Sequence, residues 1–332
     1  VPVSGRNDGF TMHLLRAESP GPNVAKLVPR IRSTAGILYI LYIVLTVVDF
    51  LFLLAGKMSV LEAICTAFGT AGTGGFGVKN DSMASYSPYI QNVCTVFMLL
   101  FGVNFSCYYL LIMKQVKSVY KDEELRLYVG MVLGSVLLIV INLRGFYGTL
   151  EETVRHAFFQ VASIVTTTGF ATTDFDLWPG FSKAILLCLM VVGACAGSTG
   201  GGFKCGRLLL VFKSLRRNIQ KMLRPQRIQA VRSNKQVVSE KVLENTNAYL
   251  AAYVLIIMFS LLVISIDGFS VGTNFSAVLA CFNNIGPGLE LVGPTCNFSI
   301  YSPLAKIVLI FDMLAGRLEI FPILLSRDTW RR

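Results

Sequence analysis

SIVTTTGFATTDF, Ser163 to Phe175, lies where a short helix-like stretch runs out into three threonines and a glycine before the next long apolar segment. Two other stretches repeat that order: CTAFGTAGTGGFG, Cys65 to Gly77, and ACFNNIGPGLELVG, Ala280 to Gly293. One Gly-rich turn between apolar helices is common. The succession of helix, short helix, turn and helix three times over indicates one pore-lining unit duplicated within the chain.

The middle unit is the most legible. Thr149 to Val165 reads as a helix, with Glu151 and Glu152 in a first turn where acids complement the macrodipole and an apolar face of Phe158, Phe159, Val161, Ile164 and Val165. A helix too short to span must re-enter, and non-helical backbone at membrane depth survives only when buried in protein or lining water. Threonine carries a hydroxyl beside its carbonyl, and glycine permits backbone angles that turn successive carbonyls toward one axis. The helix also aims its negative end at the turn, which favours a cation over an anion. Aligned on the central glycine, the turns pair Gly75, Gly169 and Gly286 as filter glycines. The carbonyl-bearing neighbours are Gly72, Thr73 and Gly74, then Thr166, Thr167 and Thr168, then Asn283, Asn284 and Ile285. The alternative reading is that these glycines only let helices approach closely, as small-xxx-small interfaces do.

The composition agrees with a membrane setting. Of 332 residues, 54% are hydrophobic and 15% charged, where a soluble domain carries about 25% charge. Mean hydropathy is +0.62. Six segments have roughly the length needed for a hydrocarbon core of about 30 Å: 35 to 56, 89 to 113, 125 to 143, 181 to 196, 247 to 266 and 303 to 325, the fourth being interrupted by glycine.

The net charge of +11 is explained by its position. From Lys204 to Lys241 there are eleven basic residues and one acid, Glu240, the signature of a positive-inside loop. Arg30 and Arg32, Lys114, Lys117 and Lys121, and Arg327, Arg331 and Arg332 fall on the same side if the segments alternate. Both ends of the chain are therefore expected to be cytoplasmic. Topology accounts for the basic run and no aromatic residue interleaves it, so no nucleic-acid partner is expected. The eight cysteines form no CxxC pair and no metal-like spacing with His13 and His156, and no cofactor, disulfide framework or catalytic site is inferred. Residues 1 to 33 are polar, begin with Val1 and show no apolar signal region, and read as an interior linker.

Two further features stand at membrane depth. Gly193, Gly197, Gly200, Gly201 and Gly202, with Ser198 and Thr199 between, break the fourth segment. Each glycine costs about 1 kcal/mol relative to alanine inside a helix, so an unwound loop is expected there. Such a loop can obstruct a pore below its filter; a static kink is the alternative. Arg317, within the sixth segment, requires partners, and loop carbonyls or Glu319 are the candidates. Asp312 is left unassigned. Lys204 and Arg207 follow the loop, where they either relay movement to it or only enforce topology.

The three turns, with GACAGSTGGGFK at Gly193 to Lys204 and LAGRLEIF at Leu314 to Phe321, resemble the bacterial TrkH potassium-uptake family of the Trk/Ktr/HKT superfamily. The resemblance covers nearly the whole chain. It implies an all-α polytopic membrane protein of the bacterial inner membrane, with four helix, pore-helix, filter-turn and helix units around a pseudo-fourfold pore, of which three are visible. It further implies K⁺ as the transported ion, the glycine-rich segment as a movable intramembrane gate, and Arg317 against that gate as a barrier to cations. The partners it implies are a second copy of the chain and a cytosolic nucleotide-binding subunit of the TrkA type. The expected division is a linker at 1 to 33 resembling the one between the family's first and second units, family unit two at 34 to 121, unit three at 122 to 224, a basic linker at 225 to 246, and unit four at 247 to 332. A transporter of K⁺, non-enzymatic, is the leading expectation; a non-conducting assembly or sensor subunit is the alternative.

Overall fold

The computed structural model describes residues 31–224, 230–234 and 236–318. Most of the linker expected at 1–33 lies outside the described residues, as do residues 225–229, Glu319 and the end of the sixth predicted segment.

The described chain is helical apart from one small hairpin, and its helices fall into three successive units. In the first, α1 (Ile31–Ala55) is followed by α2 (Val60–Ala71), a turn, α3 (Pro88–Phe101) and α4 (Phe105–Ile112), with a short α5 (Val116–Tyr120) leading out. In the second, α6 (Glu123–Asn142), α7 (Leu150–Val165) and α8 (Gly180–Val192) precede an unwound loop and α9 (Cys205–Leu223). In the third, α10 (Glu240–Ile264), α11 (Val271–Phe282) and α12 (Pro303–Arg317) repeat the plan. A two-stranded antiparallel hairpin, β1 (Arg232–Ser233) and β2 (Gln236–Val237), stands between α9 and α10.

The repeat is written in the local chemistry of the helix ends. Each short helix starts on a hydroxyl cap: Ser59 accepts from Glu62 N, Thr149 from Glu152 N, and Ser270 from Thr273 N. Such a cap contributes about 1 kcal/mol. At Ser59 it is a full capping box, because the Glu62 side chain returns to the Ser59 amide. Each outbound helix starts beside a proline, at Pro88, Pro179 and Pro303, where the missing N–H is no loss and φ is already helical.

Each unit also has its own interior. Leu53, Ala67, Phe97 and Phe101 centre the first, Ile139, Val161, Trp178 and Leu186 the second, and Tyr253, Ile257, Phe282 and Leu309 the third. On the outer surface, α1 exposes Ile40, Val44 and Leu51, and α10 exposes Leu255, Phe259 and Leu262. Lipid tails are as apolar as these side chains, so association of the helices rests on close packing and hydrogen bonds rather than on removing apolar surface from water. The protein is an all-α polytopic membrane protein.

The spans differ from the sequence expectation in three places. Among the described residues, three helices are long and apolar enough to cross a membrane: Gly36–Ala55, Glu123–Asn142 and Glu240–Asp267. The segment expected as one span at 89 to 113 is a pair, Pro88–Phe101 and Phe105–Ile112, bent by 88°. The cause is local: Asn104 caps α4 by accepting from Ser106 N, while Gly102 abuts the Tyr128 hydroxyl, leaving no room for a side chain. The fourth segment is a shorter helix of 13 residues, which at 1.5 Å per residue rises only about 20 Å, and the sixth is helical over Pro303–Arg317 among the described residues. The fifth starts early, at Glu240, so the linker expected at 225 to 246 contains the hairpin and the first turns of α10.

Candidate functional site

The three turns follow one backbone path. Each short helix is capped at its C-terminus by the first residue of its turn, Gly72, Thr166 or Asn283. The next residue turns left-handed: Thr73 at φ 50°, Thr167 at 58° and Asn284 at 55°. The following amide then bonds back into the helix, Gly74 N to Gly69 O at 2.8 Å, Thr168 N to Ser163 O at 2.9 Å and Ile285 N to Ala280 O at 2.8 Å. The three aligned glycines come next, with φ of 66° at Gly75, 86° at Gly169 and 109° at Gly286. Side chains rarely adopt that region, so glycine is required by conformation before any ligand is considered.

The turns also stack in order. A Cβ at Gly75 would stand 2.0 Å from Thr168 O, and one at Gly169 would stand 1.9 Å from Ile285 O. Gly286 ends the series, with nothing within 4 Å of its Cβ position among the described residues. Burial follows the same order. Thr166, Thr167 and Thr168 are each fully buried, whereas Gly74 in the first turn and Gly286 in the third are exposed.

The threonine hydroxyls have structural partners. Thr166 Oγ1 donates to Ala162 O at 2.7 Å and lies 2.8 Å from Thr168 Oγ1, and Thr167 Oγ1 accepts from Gly201 N at 2.6 Å.

Gly193 to Lys204 is unwound and lies against all three turns. Gly193, Gly197 and Gly202 have φ of 75°, 72° and 80°. Thr73 Oγ1 in the first turn donates to Thr199 O at 3.1 Å; Gly201 N reaches the second turn through Thr167; and a Cβ at Gly201 would stand 2.6 Å from Asn283 O in the third. Thr166 O lies 2.9 Å from a Cβ at Gly200. Ser198 Oγ donates back to Cys195 O at 2.6 Å, tightening the bend.

Charged groups hold the loop in place. Arg317 Nη1 donates to Thr199 O at 3.2 Å. Lys204 Nζ donates to Gly200 O, and Glu124 Oε1 accepts from Ala196 N at 2.6 Å. The Arg207 guanidinium lies 4.0 Å from the centroid of the Tyr249 ring. The bent pair contributes as well, since Cys195 N donates to Gly102 O and Phe105 N to Gly197 O, both at 3.1 Å. Asp312 is buried and accepts from Ser260 Oγ at 2.8 Å, and the carbonyl of its neighbour Met313 accepts from Asn284 Nδ2 of the third turn at 3.1 Å.

Glu124 and Asn104 were not singled out by their sequence context. An asparagine two residues after a glycine inside an apolar run signals a helix break at Asn104. Glu124 follows another acid at the start of a helix, where dipole complementarity explains it without any loop contact.

Comparison with known proteins agrees with this architecture. The TrkH cation transport protein family matches residues 9–330. The chain is 37% identical over 327 residues to the Trk system potassium uptake protein TrkH of Salmonella typhimurium, covering 96% of this chain and 67% of that protein. It is 32% identical over 326 residues to the Trk system potassium uptake protein TrkG of Escherichia coli, covering 96% and 66%. The crystal structure of the potassium transporter TrkH from Vibrio parahaemolyticus superimposes with a TM-score of 0.84 at 32% identity, covering 92% of this chain and 66% of that one. The chain thus spans about two thirds of the length of these relatives. With the family matched over nearly its whole length, this chain belongs to the TrkH family of cation transport proteins.

Proposed function

We propose that this chain forms three of the four sides of a potassium-uptake pore in the bacterial inner membrane, with both of its ends on the cytoplasmic side. The observation that carries the reading is the stacking of three turns on one backbone path, with Gly75 against Thr168 O and Gly169 against Ile285 O. Carbonyls of Gly72 to Gly75, Thr166 to Gly169 and Asn283 to Gly286 replace the water of a K⁺ ion as it passes, and the helix C-termini behind them add negative potential. Family unit one supplies the fourth side, beside Gly286.

The loop from Gly193 to Lys204 acts as the gate. Its hydrogen bonds to Thr73 and Thr167 support a closed arrangement in which loop and filter are one packed body. Arg317 adds a positive charge at the same level, which opposes cation passage until the loop moves. Two copies of the full protein assemble, and a cytosolic nucleotide-binding subunit of the TrkA type biases the loop from the cytoplasm.

One aligned glycine per turn gives a shorter coordinating strip than a filter of successive glycines and carbonyls, so Na⁺ is discriminated against only modestly. The test is K⁺ and Na⁺ uptake by the full-length protein in a potassium-transport-deficient strain. Faster K⁺ uptake is expected. Equal rates for the two ions overturn the K⁺ preference, and absence of uptake overturns the transport reading.

A further inference from the structure

We propose that Glu124 is a positioning residue that staples the neck of the intramembrane loop, and that the hairpin between α9 and α10 sets its position. The inference rests on the reading of that loop as a gate. The loop leaves α8 at Gly193 and enters α9 at Cys205, and these ends lie close together: Cys205 N donates to Ala194 O at 2.9 Å and Cys205 Sγ to Gly193 O at 3.3 Å. Glu124, from the first turn of α6, reaches both sides of this neck. Its Oε1 accepts from Ala196 N at 2.6 Å, and the same oxygen lies 2.9 Å from where a Cβ on Gly206 would stand. Gly206 belongs to the first turn of α9, where an anion is favoured by the helix dipole. One carboxylate thus bridges the incoming and outgoing arms of the loop.

The turn of α6 that carries Glu124 is itself clamped from the hairpin. Asn234 Oδ1 accepts from Glu123 N at 3.0 Å, Asn234 Nδ2 donates to Asp122 Oδ2 at 2.7 Å, and Asn234 N donates to Glu123 Oε2 at 3.1 Å. Lys213 of α9 pairs with Glu123 and donates to Arg232 O at 2.7 Å. A displacement of the hairpin therefore moves Asp122 and Glu123, and with them Glu124 and the neck. No contact of the hairpin with the loop itself is needed.

The experiment uses full-length protein in liposomes, without a cytosolic partner, and measures K⁺ flux for wild type, Glu124→Gln, Gly206→Ala, Asn234→Ala and the double variant Glu124→Gln/Asn234→Ala. Gln keeps the shape and loses the charge. Alanine at Gly206 improves helix propensity while its methyl displaces the carboxylate, so a loss of helix stability does not explain its effect. Loss of one charge-assisted hydrogen bond shifts a two-state loop by about tenfold, and basal flux is expected to rise by that order in Glu124→Gln and Gly206→Ala with the K⁺ over Na⁺ ratio unchanged. Asn234→Ala is expected to raise flux less, and to add nothing to Glu124→Gln.

A second readout separates the staple from a general fold defect. Site-resolved maleimide labelling of Cys195 and Cys205, both fully buried, should accelerate in Glu124→Gln while Cys94, fully buried in the first unit, stays protected. Wild-type flux with unchanged flux and labelling in both Glu124→Gln and Gly206→Ala overturns the staple. Full additivity of Asn234→Ala overturns the role of the hairpin. Accelerated neck labelling without any wild-type flux supports the staple and instead overturns the transport reading.

Discussion

A Cβ at Gly169 would stand 1.9 Å from the carbonyl oxygen of Ile285. Gly169 also sits at φ 86°. Gly169→Ala therefore suffers two penalties, a strained backbone of about 1–3 kcal/mol and a backbone clash between two units that no rotamer relieves. We predict a fall in K⁺ uptake of more than about fivefold, the lower end of that strain. Gly148→Ala, where the Cβ position is open, is the matched control and should transport normally.

The bend between α3 and α4 yields a prediction of stability. A Cβ at Gly102 would stand 2.5 Å from the Tyr128 hydroxyl and 2.8 Å from Thr166 Cγ2. Overpacking of this kind costs about 1–3 kcal/mol, so Gly102→Ala should lower the apparent Tm of the purified protein by several degrees. Tyr128→Phe removes the oxygen that is struck, together with its bond to Leu99 O. Combined with Gly102→Ala it should recover part of the loss, a non-additivity read directly from thermal melts of the four proteins.

These two sites also mark what the sequence could convey. The order of short helix, turn and long helix was legible because small-residue turns around Gly75, Gly169 and Gly286 recur between apolar segments. The 88° bend left only the local signal of Gly102 and Asn104, which hydropathy overrode because Phe101, Val103 and Phe105 keep the run apolar. Hydropathy reports where a segment lies, not which way it points. The meeting of Glu124 with Ala196, 72 positions apart in the chain, was illegible for a different reason: a bond to a backbone amide leaves no complementary residue type to look for.

Arg317 offers a test of electrostatics at the proposed gate. Its Nη1 donates to Thr199 O, the same carbonyl that accepts from Thr73 Oγ1. Arg317→Ala removes both a hydrogen bond and a positive charge, and basal K⁺ flux without a cytosolic partner should rise severalfold, as expected for a loss of about 1 kcal/mol. Arg317→Lys keeps the charge and loses the planar fork. If the barrier is electrostatic, flux in Arg317→Lys stays near wild type; if the hydrogen bond is what matters, it rises with the alanine variant. Flux unchanged in both variants reduces Arg317 to an anchor.

Glu290 connects the loop after the third turn to the start of α11, and it links stability to pH outside the spans. Its carboxylate accepts from Ser270 Oγ and, at 2.8 Å, from Thr273 Oγ1, and hydrogen bonding by these two hydroxyls holds its pKa below the usual glutamate value. A carboxylate whose folded pKa is depressed contributes stability that is fully present above the unfolded value of about 4.3 and is lost as pH falls through the folded one. The group is exposed, so screening keeps the effect small, of the order of 0.5–1 kcal/mol for an anion at a helix N-terminus. Glu290→Gln should therefore melt lower than wild type at neutral pH. The two melting curves should converge as pH is taken below about 4.3, and the neutral-pH difference should shrink at high salt. A difference that persists unchanged into acid would assign the loss to the packing of Glu290 against Gly272, where a Cβ would stand 2.3 Å from Oε1, rather than to its charge.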